Sequence, residues 1–314
     1  MLSKCAIIGC GNVGAATAFT LVGSGLFSQL VLIDVNEKKA QGEAMDLNHG
    51  IPFATHMKVW AGTYDDVADC SVVIIAAGAG QKPGETRIDL LHRNAEIFAS
   101  MIPEITRRNQ SCILLVISNP VDILTYFTWK LSGFPAHRVM GSGTVLDTAR
   151  LKYLLGERLG VDARNIHAFI MGEHGDSELV VWSSANVSGI DLRDFAQLVN
   201  VPMDSLTQLY DEVKNSAYRI IEGKGATYYG IARSVLRILQ AIVRDEHTVL
   251  PVSTLAEGQY GLQGLCLGMP AIVGQRGVER VLSIPLDASE EQRLRESAEM
   301  LSGVLSGIHL EREG

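Results

Sequence analysis

The chain has 314 residues, enough for two domains, and its 47% apolar and 20% charged residues are those of an ordinary globular protein. A formal charge of −8 excludes the basic footprint that nucleic acid binding needs. No apolar run reaches the roughly 18–20 residues of a membrane span, so neither nucleic acid nor membrane is expected as a partner.

Strand-like residues begin at Cys5, so no signal or transit peptide is expected. Cys5, Cys10, Cys70, Cys112 and Cys266 are odd in number and lack the paired spacing of a metal site. The expectation is buried free thiols in a reducing compartment, no bound metal, and a cytoplasmic protein.

Residues 5–8 read as a buried strand, followed by Gly9-Cys10-Gly11-Asn12-Val13-Gly14, a helix over 15–22, and a strand over 29–33 that ends at Asp34. A lone G-x-G-x-x-G is weak, but here it lies between strand and helix, with an Asp 20 residues after its last glycine. Gly9 allows the tight turn, Gly11 the close approach of a pyrophosphate, and Gly14 the packing of helix on strand. The helix N-terminus offers unpaired N–H groups to phosphates. Asp34 can accept from ribose hydroxyls and would repel the extra phosphate of NADP, and no Arg or Lys stands at 35 or 36. NAD is therefore the expected cofactor. The competing reading is a glycine-rich turn and a surface Asp.

Alternation continues with a helix over 38–47, strands over 58–61 and 71–77, a helix over 88–108 and a strand over 112–117. This pattern predicts a Rossmann-type doubly wound parallel sheet, whose ligands bind outside the carboxyl ends of the strands. Two polar clusters fall at such ends. The run 78–87, with Gly78, Gly80, Pro83 and Gly84, is a loop that either closes as a lid carrying Arg87 or remains a solvated surface loop. In Ser118-Asn119-Pro120-Val121-Asp122, Asn119 either meets a ligand with its amide or begins a helix.

The turn-rich Met140–Thr144 run marks a boundary, giving a cofactor domain over 1–142 and a mixed α+β substrate domain over 143–314. A helix over 145–159 follows, on which Asp147 and Arg150 share a face. They either form a local salt bridge, or send Asp147 to a histidine and Arg150 to a substrate carboxylate. A strand over 165–170 leads into Gly172-Glu173-His174-Gly175-Asp176, where His174 is either structural or a proton donor and acceptor. Further elements are a strand over 179–182, a helix over 206–221, a helix that residues 225–230 open and that runs to about 243, strands over 249–255, 264–273 and 279–282, and a terminal helix over 288–309. His49, His56, His92, His137, His247 and His309 show no convergent partners in the sequence.

Taken together, GCGNVG, GQKPGETR, SNPVD, GSGTVLDTAR, GEHGDSE and KGATYYGIA, in this order, resemble the L-lactate/malate dehydrogenase family over essentially the whole chain, and within it the bacterial L-lactate dehydrogenases. The resemblance implies that pyruvate and L-lactate are the substrates. His174 would be the acid/base, Asp147 its orienting carboxylate, Arg150 the clamp on the substrate carboxylate, and Arg87 the group polarising the carbonyl. Asn119 would help hold substrate and nicotinamide, and Thr227 would line the pocket. Gln81 stands where malate dehydrogenases carry an arginine, which favours lactate over malate. Cofactor contacts are expected from Gly9, Gly11, Asn12, Val13, Gly14, Asp34, Gly78, Asn119 and Ser142. Bacterial relatives are commonly homotetramers, some activated by fructose 1,6-bisphosphate through an arginine and a histidine. Here those positions hold Lys152 and His167, and the loss of the guanidinium fork puts activation in doubt. The rival readings are another L-2-hydroxy acid dehydrogenase, malate included, and a non-catalytic NAD-binding protein.

Overall fold

The computed structural model describes residues 4–80 and 87–308, the side chains at 87 and 88 excepted. In chain order the elements are β1 (Lys4–Ile8), α1 (Asn12–Val22), β2 (Gln29–Ile33), α2 (Glu37–Gly50), β3 (Lys58–Ala61), β4 (Val72–Ile75), α3 (Arg87–Thr106), β5 (Ile113–Val116), α4 (Val121–Ser132) and β6 (Val139–Gly141). Next come α5 (Val145–Leu159), β7 (Ile166–His167), β8 (Ile170–Met171), β9 (Leu179–Val180), β10 (Asn186–Val187), β11 (Ile190–Asp191), α6 (Leu192–Leu198), α7 (Met203–Thr207) and α8 (Leu209–Lys224). The chain closes with α9 (Tyr229–Val243), β12 (Thr248–Glu257), β13 (Gln263–Gly274), β14 (Gly277–Val281) and α10 (Ala288–Ser306).

Apolar runs such as Val72–Ile75 and Ile113–Val116 are buried along their whole length, as parallel strands covered on both faces must be. The main sheet runs β3-β2-β1-β4-β5-β6 in parallel, then continues through β12, β13 and β14 in antiparallel pairing. One face, with Ile7, Leu32 and Ile74, packs in a core shared with α1, α2 and α9. The other, with Ile8, Ile75 and Val116, packs in a core shared with α3, α4 and α10. A third core joins Leu151 and Leu155 of α5 to Leu209 and Val213 of α8. The strand order turns back between β1 and β4, opening a crevice at their carboxyl ends. No helix among the described residues is long and apolar enough to cross a membrane.

Three departures from the sequence reading have local causes. The strand expected over 165–170 is two strands, β7 pairing with β10 and β8 with β9, because the Ile170 N–H leaves the first ladder and donates to Thr148 Oγ1 at 2.9 Å. The turn-rich Val139–Gly141 is a strand, since β5 and β12 flank it. Of helix α4 the sequence offers only a start at Asn119, as one of two readings, because seven of its first eight residues are buried and it lacks an amphipathic stripe.

Candidate active site

The fingerprint glycines build a cradle in three ways. Gly9 has φ +101°, and a Cβ there would lie 2.5 Å from the Ala77 main-chain nitrogen. A Cβ on Gly14 would lie 1.9 Å from the Gly9 carbonyl oxygen, so only glycine lets α1 start this close to the turn. At Gly11 a Cβ would meet nothing within 4 Å, which leaves open space directly before the first turn of α1. No side chain caps that helix end, so the N–H groups of its first turn, at Asn12, Val13 and Gly14, are presented to an anion. Asp34 accepts from the Cys10 N–H at 2.6 Å through Oδ2 and from the Asn36 N–H at 2.8 Å through Oδ1. It thus shapes the glycine loop from the end of β2. Gly9, Gly11, Asp34, Val35, Gly78 and Ile97 line one cavity of about 580 Å³. An open glycine, an uncapped helix start and a carboxylate at the end of β2 are the groups that a dinucleotide needs, and the chain fits NAD.

Asp147 and Arg150 rise from the first turns of α5, one turn apart, and His174 follows β8. Asp147 is 3% exposed and splits its carboxylate: Oδ2 lies 2.6 Å from His174 Nδ1, and Oδ1 accepts from Arg150 Nη1 at 2.9 Å. Both sequence readings of this pair therefore hold together, a local salt bridge and a bond to the ring. The Asp147 charge, against the opposing effect of burial, pushes the His174 pKa up to about 9. Burial raises the Asp147 carboxyl, but the charge and hydrogen bond of His174 and the Arg150 guanidinium outweigh it and hold it below the usual carboxylate range. The two shifts describe one imidazolium–carboxylate pair.

The His174 turn is fastened on every side. Gly172, with φ +89°, exchanges main-chain hydrogen bonds of 2.9 and 2.8 Å with Gly268 of β13. The Glu173 N–H donates to Ser297 Oγ of α10 at 2.9 Å, and the Glu173 carboxylate accepts from Ser177 at 2.6 Å, so it is turned to its own loop. The His174 N–H donates to Asp122 Oδ2 at 2.7 Å.

Residues 3–141 match the lactate/malate dehydrogenase NAD binding domain, and residues 144–309 match the lactate/malate dehydrogenase alpha/beta C-terminal domain. The chain belongs to the lactate/malate dehydrogenase family. It is 52% identical over 312 residues to an L-lactate dehydrogenase of Acetivibrio thermocellus, covering 99% of this chain and 98% of that one. It is 50% identical over 308 residues to L-lactate dehydrogenase 1 of Clostridium acetobutylicum, covering 98% of each. Among solved structures it resembles the ligands-bound minor L-lactate dehydrogenase from Enterococcus mundtii, with a TM-score of 0.96, 43% identity and 99% of each chain covered. It also resembles a lactate dehydrogenase enzyme from a Medee basin deep-sea metagenome library, with a TM-score of 0.95, 44% identity and coverage of 98% of this chain and 99% of that one. The family's NAD binding domain confirms NAD as the cofactor.

The remaining residues expected from the family resemblance are placed as follows. Asn119 is exposed at the carboxyl end of β5, and its carbonyl accepts from Asn94 Nδ2 at 3.3 Å. Asn94 also accepts from the Ala79 N–H at 2.8 Å, so one buried side chain of α3 ties the residues after Gly78 to Asn119. Ser142 donates its N–H to the Val116 carbonyl at 2.9 Å, and Thr227 is half-buried just before α9. Lys152 is half-buried on α5, where burial lowers its pKa, and His167 is exposed on β7. Gln81, most of the 78–87 loop and the Arg87 side chain lie outside the described residues, as does His309.

Four residues escaped the sequence reading. Asn94 and Ser253 are single polar residues in apolar elements and carry no motif. Asp122 was legible only as the last letter of SNPVD. Glu178 is 4% exposed and lies with Asp147 and His174 in one cluster whose nearest N and O atoms are all within 4.8 Å. Burial, then the Asp147 charge, pushes its pKa up to about 8. The reading of His247 is corrected: its Nδ1 lies 3.7 Å from Asp245 Oδ1 and 3.5 Å from Glu279 Oε2, because the α9–β12 loop meets the β13–β14 turn. This is a surface ion cluster, half-exposed and shared with Arg276.

Proposed function

We propose that this protein is an L-lactate dehydrogenase that interconverts pyruvate and L-lactate, with His174 as its acid/base. The observation that carries the reading is the Asp147 carboxylate, shared between the His174 ring and the Arg150 guanidinium, in a chain half identical to named L-lactate dehydrogenases. NADH, when bound, supplies the hydride. Arg150 receives the substrate carboxylate on its planar fork. Arg87 polarises the reacting carbonyl, and protonated His174 donates its proton to the carbonyl oxygen through Nε2. Asp147 fixes the tautomer from Nδ1 and stabilises the imidazolium, as the carboxylate of a Ser-His-Asp triad does. Asn119 and Thr227 border the substrate, and Gln81 lies beside its methyl group. Gly9, Gly11, Asn12, Val13, Gly14 and Asp34 hold the adenosine diphosphate end, while Gly78, Asn119 and Ser142 face the nicotinamide end. Loss of NADH absorbance with pyruvate, oxaloacetate and 2-oxoisocaproate tests the reading. Pyruvate is expected to be consumed with the highest kcat/KM. A preference for oxaloacetate overturns lactate for malate, and no turnover with any of the three leaves a non-catalytic NAD-binding protein.

The change from parallel pairing up to β6 to antiparallel pairing from β12 supports a division into a cofactor domain, 1–142, and a substrate domain, 143–314. A homotetramer is supported by the apolar side chains over α1 and α2, where Phe19 is 72% and Phe53 94% exposed beside a cavity of about 630 Å³. Five buried free thiols support a cytoplasmic location. Lys152 and His167 are the groups that fructose 1,6-bisphosphate would meet between subunits. Lysine binds as a point charge, so activation is weak or absent. Strong activation at micromolar bisphosphate in the same assay contradicts this.

A further inference from the structure

Asp122 stands in the first turn of α4 and is 2% exposed. Both of its carboxylate oxygens are used. Oδ2 accepts the His174 main-chain N–H at 2.7 Å, and Oδ1 accepts the Ser253 hydroxyl of β12 at 2.5 Å. No Lys or Arg pairs with it among the described residues. A neutral amide could keep both partners if the Ser253 hydroxyl turned to accept from its NH2, and a buried carboxylate without a cation is costly to keep. The charge therefore needs a reason beyond packing, and the nearest cation-forming group is the His174 ring, whose own main chain it holds.

We propose that Asp122 is a positioning residue for proton transfer: it pins the main chain of His174 and supplies, behind Asp147, a second negative charge that favours the imidazolium required for pyruvate reduction. The inference rests on the L-lactate dehydrogenase reading for its purpose, but not for its measurement. The residue also ties the two halves of the site, since Asn119 lies three residues before it, His174 lies in the substrate half, and Ser253 pairs with Gly141 beside Ser142. The charged and titratable groups facing the ring are Asp147 and Arg150 of α5, Asp122 of α4 and Glu178. Those facing Asp122 are His174, Glu173 and Cys266 of β13. Burial pushes the Asp122 carboxyl up to about 6, against the Ser253 and His174 hydrogen bonds, so it is ionised in the neutral range and protonates just below it.

The test reads the His174 ring by proton NMR in the full-length protein across pH, beside the pH profile of pyruvate reduction. Asp122→Asn keeps an oxygen for the His174 N–H and removes the charge. Its expected effect is a fall of about one pH unit in the His174 midpoint, the low end of what one nearby opposite charge contributes. The reduction profile should move with it, kcat should fall more than KM changes, and NADH affinity should stay the same. The unsubstituted protein should also show a second, smaller inflection of the His174 signal near pH 6, from Asp122 itself, that disappears in Asp122→Asn. If that variant does not fold, Ser253→Ala decides: loss of the hydroxyl should move the inflection to higher pH. An unchanged midpoint in Asp122→Asn, or an inflection that is absent or unmoved by Ser253→Ala, overturns the proposal. A protein that never consumes pyruvate but shows these titrations overturns the functional reading alone.

Discussion

The two ends of the site are built by opposite means. At the dinucleotide end, missing side chains do the shaping: Gly9, Gly11 and Gly14 leave room, and Asp34 closes the loop from 24 residues away. At the His174 turn, side chains from distant elements do it. Asp122 is 52 residues from His174, Ser297 is 124 from Glu173, and Ser253 is 131 from Asp122. A cradle of glycines is spoiled by adding atoms, whereas a turn fastened by side chains is spoiled by removing them. The first occupies one continuous stretch of chain. The second exists only once the sheet, α4, α5 and α10 have come together.

The largest effect should come from deletion at the second end. His174→Ala removes the proposed proton donor and is expected to lower turnover in both directions by about 10²–10⁴-fold or more. NADH binding, followed by its fluorescence, should hardly change because the cradle is untouched. Near-normal turnover would remove His174 from the chemistry. Next is Gln81→Arg, which on the proposed reading sets a charge against the substrate methyl. Two unit charges about 4 Å apart interact by roughly 4 kcal/mol at an effective dielectric near 20, which corresponds to about a thousandfold in relative kcat/KM. The ratio for pyruvate over oxaloacetate should fall towards or through that range. An unchanged ratio would put Gln81 outside the specificity site.

This contrast also explains what the sequence made legible. The fingerprint and Asp34 could be read because their meaning lies in spacing along 30 residues, and strand-helix alternation could be read because parallel strands are continuous apolar runs. His174, Asp147 and Arg150 could be named as candidates, but only the fold joins Asp147 to both neighbours at once. Asn94, Ser253 and Ser297 have no local mark, since a buried serine or asparagine looks in sequence like any surface one. Helix α4 hid for the same reason in reverse: buried on nearly every side over its first turns, it lacks the stripe by which helices are recognised. His247 meets Asp245 two residues away and Glu279 across a turn, and only the second contact needs the fold.

A pair of glycine substitutions sharpens the comparison within the cradle itself. Gly14→Ala forces a Cβ to 1.9 Å from the Gly9 carbonyl, a backbone atom that cannot swing aside. It is expected to destabilise the apoprotein by about 1–3 kcal/mol or more, as a lower thermal midpoint. Gly11→Ala meets nothing within 4 Å and has an ordinary φ of −68°, so stability should change by about 1 kcal/mol at most, from the poorer helix cap. Its Cβ stands where the pyrophosphate approaches, so NADH affinity should fall clearly. Equal loss of affinity without destabilisation in both variants would refute the packing role of Gly14.

The last effect needs no substitution to be seen: it concerns pH, and it too should belong to one end. In the folded protein His174 holds its proton up to about 9, against 6.5 for an unperturbed histidine, so the unfolded chain binds fewer protons between those values. The stability contributed by the imidazolium is fully present below 6.5 and is lost as pH rises through about 9. Asp122, raised from 3.8 to about 6, and Glu178, raised from 4.5 to about 8, act with the same sign in lower windows. Asp147, held below its ordinary value, acts oppositely, but only in acid. The apoprotein should therefore lose on the order of 4 kcal/mol between pH 6.5 and 9, about half of it from each of His174 and Glu178, seen as a falling thermal midpoint. His174→Gln should make that slope shallower across the whole window from 6.5 to 9, leaving the Glu178 contribution below about pH 8. Gly11→Ala should lower cofactor affinity and leave the slope as it was. A wild-type midpoint that stays level from pH 6.5 to 9 would mean that His174 and Asp147 do not form the ion pair on which the catalytic end depends.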